Sequence, residues 1–282
     1  MARGEEQIGP GIPSFPAARG AMMVLLAFSL FPILWIMLTS VKNETAIFSI
    51  PPTVFVSPDF SSYWKFLGFG NESALRFIWN STFIAVVTTF LTLFVSSLAA
   101  YAFSRYRFRA SNYLLFFMLA TRLLPPVTAV VPLYLLFRYL QILDTRFILI
   151  LIYTALNIPF GTWLMKAFFD GIPKELEEAA ALDGCGALRT LARVTFPLAS
   201  SGIAATSIFV FLLAWNEFMF AFMLTNVHAR TIPVRLAETM GEMQVFWQDM
   251  STLATLIMLP ALLVGFFMQR YLIRALTAGA VK

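Results

Sequence analysis

The stretch Gly171-Ile-Pro-Lys-Glu-Leu-Glu-Glu-Ala-Ala-Ala-Leu-Asp-Gly184 is a polar island between two long apolar runs, and its reading decides how the chain is organised. Gly171-Ile-Pro173 stops the preceding run, and proline suits the first turn of a helix, where its missing N–H is not needed. Glu175, Glu177 and Glu178 place negative charge near the positive N-terminus of that helix. Gly184 supplies the stop. Between these signals Leu176, Ala179, Ala180 and Leu182 are the apolar members, and the alanines leave a surface shallow enough for close approach by another protein. A second amphipathic piece follows. Leu188, Leu191 and Val194 recur at helical spacing with Arg189 and Arg193 among them, until Pro197 marks the next apolar run. The segment reads as a short helical lever between two membrane spans.

Outward from this island the chain is apolar. Of its 282 residues 59% are hydrophobic and 12% charged, which is too apolar for a soluble domain of this length. Runs of about 20 apolar residues cross a hydrocarbon core of ~30 Å. Six such runs predict spans at 20–41, 78–103, 112–137, 147–167, 199–225 and 250–271. The expected fold class is therefore all-α, a polytopic bundle of six transmembrane helices over 20–272 with the lever loop at 168–198. Residues 1–19, rich in Gly and Pro, are expected to form a disordered N-terminal tail, and residues 273–282 a C-terminal tail. The first run is too long for a signal-peptide core and lacks a small-residue cleavage site after it, so it is expected to stay as an anchor. An aromatic-rich stretch from Phe60 to Trp79 reads as an anchor at the membrane interface.

Six spans put both termini on one side. The loops on that side hold Arg105, Arg107 and Arg109, then Lys166, Lys174, Arg189 and Arg193, then Arg270, Arg274 and Lys282. By the positive-inside tendency both termini and the lever loop are expected to be cytoplasmic. The same loops account for the net charge of +5, because Lys and Arg form no dense basic stripe of the kind that nucleic acid requires. A single cysteine, Cys185, excludes an internal disulfide framework, and a single histidine, His228, leaves no pair for a zinc or di-iron site. His228 reads as an exposed loop histidine.

With the spans placed, the chain resembles the permease subunit of an ATP-binding-cassette (ABC) importer, within the maltose-type carbohydrate branch. That family's loop motif runs Glu-Ala-Ala, three residues, Gly, nine residues, an aliphatic residue, one more, then Leu-Pro. Here it reads Glu178-Ala179-Ala180, Gly184, Val194 and Phe196-Pro197, with Val and Phe at two apolar positions and Asp183 before the glycine. Agreement extends to Asn80-Ser81, Ala100-Tyr101-Ala102-Phe103-Ser104-Arg105, Trp215-Asn216-Glu217-Phe218 and Leu276-Thr-Ala-Gly-Ala-Val-Lys282. A bare Glu-Ala-Ala says nothing, whereas the spaced motif in the right loop is specific.

The resemblance implies type I importer architecture in a bacterial inner membrane. It also implies a second permease subunit, two ATPase subunits and a soluble or lipid-anchored solute-binding protein as partners. ATP and Mg would be bound by the partner ATPase, since this chain has no Gly-x-x-x-x-Gly-Lys-Ser/Thr loop and no cofactor of its own is expected. Glu178, Ala179, Ala180, Asp183, Gly184 and Pro197 would form the ATPase-coupling surface, with Glu178 facing a basic residue of the ATPase and Gly184 allowing a sharp turn. The tail 276–282 would touch the ATPase interface. The solute would be a sugar, a sugar derivative or a polyol.

Polar groups inside the spans mark the candidate solute path, because a charge at mid-membrane costs about 2.5–3.5 kcal/mol on insertion scales. Arg122 interrupts the third span just before two prolines, and Glu217 lies in the fifth. Trp215 offers a ring for stacking on a sugar, Asn216 and Glu217 offer hydrogen-bond acceptors, and Asn157 adds an amide in the fourth span. Two readings stay open for Arg122 and Glu217: they contact solute, or they neutralise one another. The main alternative function is an ion-coupled secondary transporter, which would need several buried carboxylates and inverted halves. An intramembrane enzyme would need a catalytic cluster, and none is visible.

Overall fold

The computed structural model describes residues 16–68, 73–106, 108–240 and 245–280. Helix α1 (Pro16–Thr39) is followed by the short α2 (Glu44–Ile47) and α3 (Ser61–Leu67), then α4 (Leu75–Arg105). Next come α5 (Ser111–Ala120), a 3₁₀ turn at Thr121–Leu123, α6 (Pro126–Tyr139) and α7 (Arg146–Asp170). The lever comprises α8 (Lys174–Leu182), α9 (Ala187–Thr190), a π-helical turn at Leu191–Thr195 and α10 (Phe196–Leu198). The chain closes with α11 (Ser200–Trp215), α12 (Met219–Leu224), α13 (Ile232–Ala237) and α14 (Trp247–Ala280). Four helices are long and apolar enough to cross a membrane, and two bent pairs bring the number to six if each pair makes one span.

The centre of the bundle is the α4–α7 pair, which runs side by side in one direction. Arg146 Nε donates to Asn80 Oδ1 at 2.8 Å, Ser96 Oγ to the Ile158 carbonyl at 3.1 Å, and Ser104 Oγ to Asp170 at 2.6 Å. Between Arg105 and Arg146 the chain must therefore return to the opposite face, which is the work of α5 and α6. Small residues let α4 and α7 approach, as is usual where no water drives helices together. Thr88, Thr92 and Ser96 are buried along one stripe of α4. Opposite them, a Cβ on Gly161 would lie 2.7 Å from Ser96 Oγ and 3.3 Å from Thr92 Cγ2. Gly161→Val is expected to wedge the pair apart at a cost of about 1–3 kcal/mol, read as a lowered thermal midpoint of the purified protein. An unchanged midpoint would show that the close approach does not matter.

Two expected spans are broken. The run at 112–137 bends by 86° between Leu123 and Pro126. Leu124 is driven into an extended conformation by the proline after it, and Pro126 restarts the helix from its first turn. The run at 199–225 stops at Trp215 and resumes at Met219, although no proline or glycine intervenes. Instead the Glu217 carboxylate accepts the N–H groups of Phe220 (3.0 Å) and Ala221 (3.3 Å), supplying the α12 end with the acceptors that a continuous helix would have provided.

Two boundaries and one assignment also differ from expectation. Helix α1 already includes residues 16–19, while the rest of the expected N-terminal tail, 1–15, lies outside the described residues. Helix α14 does not end near 272 but continues to Ala280, so the expected C-terminal tail is mostly an extension of the last helix. Its 34 residues reach about 51 Å, well beyond a ~30 Å core. Arg107 and Lys282 lie outside the described residues. Finally, the aromatic stretch before α4 is not purely interfacial. Trp64 and Trp79 are exposed, but Phe66 is buried in the core, and Ser62 and Lys65 tie α3 to Asp249 of α14.

Candidate functional site

The lever begins where Pro173 caps α8 and ends that helix with a complete Schellman motif. Cys185 N–H bonds to the Ala180 carbonyl at 2.9 Å and Gly184 N–H to that of Ala181 at 3.0 Å. This closure requires the φ of +79° that Gly184 adopts, as the sequence expected of a glycine stop. Beyond it, Pro197 has no N–H to give, and Phe196 N–H reaches back to the Leu191 carbonyl, which makes the π turn. The helical axis then turns by 85° at Ala199 into α11.

Of the three lever glutamates, only Glu177 points into the protein. Its Oε1 accepts Arg105 Nη2 at 2.8 Å and Thr195 Oγ1 at 2.8 Å, while Oε2 accepts the Tyr101 hydroxyl at 3.1 Å. Arg105 also donates to the Ile172 carbonyl at 3.2 Å. One carboxylate thus joins the end of α4, α8 and the π turn. Burial pushes the Glu177 carboxyl up, but the donors from Arg105, Thr195 and Tyr101 outweigh it and hold the group below its ordinary range. Sequence reading grouped Glu177 with Glu175 and Glu178 as helix-dipole charges. The signal it missed is helical phase: Glu177 lies three residues from the half-buried Ala180, on the inward stripe.

The opposite face of the lever is bare. Glu178, Ala179, Asp183, Gly184 and Pro197 are exposed, and Ala180 is half-buried. Leu182 and Leu188 leave 90% and 72% of their surface uncovered, so the face carries apolar as well as charged groups.

Deeper in the bundle a cavity of about 360 Å³ opens at the break between α5 and α6. Arg122, Asn157 and Glu217 line it together with Tyr153, Thr121 and Thr128. The expected path residues are therefore only partly brought together. Trp215 is 1% exposed and stacks on Phe211 at 5.8 Å within the core, and Asn216 is exposed and donates to the Leu212 carbonyl; neither lines the cavity. Arg122 and Glu217 form no ion pair. The ion pairs among the described residues are Lys65–Asp249, Arg105–Glu177, Lys166–Asp170 and the contacts of Glu238 with Arg230 and Arg235. Arg122 instead lies 5.5 Å from the centre of the Phe160 ring.

At the far end of the bundle the chain turns on Asp144, whose φ of +57° aspartate tolerates better than most residues. Its carboxylate accepts the N–H groups of Asn226, Val227, His228 and Ala229 at 2.9–3.0 Å. Asn80 donates to the carbonyls of His228 and Arg230 and so fastens the same loop to α4. His228 itself is exposed, beside Arg76. Partial burial raises the Asp144 carboxyl, and the four amides more than reverse this, leaving it below its ordinary range. A depressed folded-state value stabilises above the unfolded pKa of about 3.9, and the contribution is lost as pH falls through the folded value. Asp144→Asn, which keeps the shape and the tolerance of positive φ, is expected to cost about 1 kcal/mol at pH 7. The gap between wild type and variant should close in thermal melts run below about pH 4; a gap independent of pH would refute the assignment.

A family model described as the inner membrane component of binding-protein-dependent transport systems matches residues 92–278, a stretch that contains both the lever and the cavity. The chain belongs to this family. As a permease of the ABC class it is 37% identical to the probable ABC transporter permease protein y4oR of Sinorhizobium fredii, over 92% of each chain. It is 34% identical to the sulfoquinovosyl glycerol transport system permease protein SmoH of Agrobacterium fabrum, over 97% of each. With the trehalose/maltose transport system permease protein MalG of Thermococcus litoralis it shares 31% identity, over 93% of this chain and 95% of that one. A bacterial ABC transporter involved in import of the acidic polysaccharide alginate has the same fold, with a TM-score of 0.69 at 24% identity over 93% of this permease and 99% of that chain. The expected permease class and all-helical type I architecture are borne out, and an ion-coupled secondary transporter is not favoured.

Proposed function

We propose that this permease supplies half of the translocation pathway of an ATP-driven, binding-protein-dependent importer for a sugar, a sugar derivative or a polyol. The carrying observation is the lever: anchored inward through Glu177, it presents Glu178, Ala179, Asp183 and the exposed leucines outward, uncovered by any of the described residues. A separate ATPase subunit fits that face, and its closure would move α8 and the spans bonded to it. ATP and Mg belong to that partner. A second permease would complete the pathway, a solute-binding protein would deliver cargo at the far end, and both termini would be cytoplasmic. The printed names of SmoH and MalG, which specify a sulfoquinovosyl glycerol and trehalose/maltose, support the carbohydrate class.

The test is uptake by proteoliposomes holding the complex purified through a tag on this permease. Sugar uptake that requires ATP and ignores proton and sodium gradients is expected. Uptake that follows an ion gradient without ATP would defeat the proposal.

A further inference from the structure

We propose that the solute is an acidic sugar, and that Arg122 holds its anionic group while Asn157, Tyr153 and Glu217 meet its hydroxyls. This rests on the importer reading above and narrows its substrate class. Arg122 and Asn157 start from opposite faces, each about 16 Å along its span from Ser111 and Arg146, so they converge near the middle of the membrane. There Arg122 is exposed and lines the cavity, and among the described residues its guanidinium makes no hydrogen bond or ion pair and lies against the Phe160 ring. Five N–H donors with no acceptor suit a planar carboxylate or a sulfonate.

The other groups ask for the remainder of a sugar. Asn157 is 4% exposed, its amide N–H₂ donates to the Tyr153 carbonyl at 2.8 Å, and its Oδ1 has no partner. The Tyr153 hydroxyl is buried beside Glu217 but makes no hydrogen bond of ordinary geometry. A buried acceptor such as Asn157 Oδ1 is rarely left so, and a ligand hydroxyl would satisfy it while bridging the Tyr153 hydroxyl to Glu217. Glu217 forms no ion pair with Arg122; its two oxygens are turned to the α12 end, where they accept the amides of Phe220 and Ala221. Its remaining lone pairs accept hydroxyl hydrogens and repel the anion toward the Arg122 end.

The competing account is that a carboxylate of the partner permease pairs with Arg122. To separate the two, the binding protein that co-purifies with the importer is heated with matched pairs: galacturonate and galactose, sulfoquinovose and glucose, and their disaccharides. Stabilisation by an acidic member over its neutral match is expected. Uptake of the preferred pair is then compared in wild type, Arg122→Gln and Arg122→Lys complexes, with co-purification of the ATPase subunit reporting assembly. Arg122→Gln should lower the acidic-to-neutral uptake ratio by at least about tenfold, with partial recovery in Arg122→Lys. Preference for neutral sugars, or equal loss of both uptakes, would overturn the acidic assignment and leave the importer standing. Failure to take up any sugar with ATP would instead remove the importer reading, and this inference with it.

Discussion

Glu178→Arg is expected to reduce ATP-driven uptake to the level seen without ATP, while the protein remains folded and inserted. Glu178 is exposed and its side chain makes no hydrogen bond or ion pair among the described residues, so the exchange should change stability by no more than about 0.5 kcal/mol. On the proposed coupling surface its effect would be felt across the interface. Like charges brought together at a docking surface cost several kcal/mol, and each 1.4 kcal/mol is about tenfold in association. Loss of the ATPase subunit from the purified complex should accompany loss of uptake. Normal uptake with normal subunit content would remove Glu178 from the coupling surface.

Glu177→Ala, one residue away, is expected to fail for a different reason. It leaves Arg105 buried beside Thr195 and Tyr101 without its counter-charge. Breaking a buried pair by removing one member costs about 3–5 kcal/mol, whereas replacing both by apolar residues of similar volume is often neutral. The single variant should therefore melt far below wild type, and the double variant Arg105→Met, Glu177→Leu should recover much of the loss. If the double variant restores stability but not uptake, the pair serves motion as well as folding. If Glu177→Ala melts like wild type, the Arg105–Glu177 pair does not hold the lever.

Much of this is legible in the sequence. Length and hydropathy separated the spans, and Pro173 and Gly184 marked both ends of α8 because each acts through its own backbone chemistry. What could not be read was the facing of residues within an apolar helix. In a membrane span the lipid and core faces are both largely apolar, so hydropathy does not tell them apart. Trp215 was expected beside solute and instead fills the core. The break at residues 216–218 was equally hidden, since it depends on a carboxylate folding back onto amides and not on a helix-breaking residue. Glu177 and Glu178 carry the same side chain, and helical phase alone turns the first toward Arg105 and the second outward.

Helix α4 is fastened at both ends, to the Asn80 network at one and to Glu177 at the other. Prolines interrupt α1, α6, α7 and α14, but the 31 residues of α4 contain neither proline nor glycine. It is thus a connecting rod about 46 Å long with no joint along it. If the lever is pushed as proposed, the push would have nowhere to dissipate before the far loop, so opening at one mouth of the channel and closing at the other would be yoked to a single stroke.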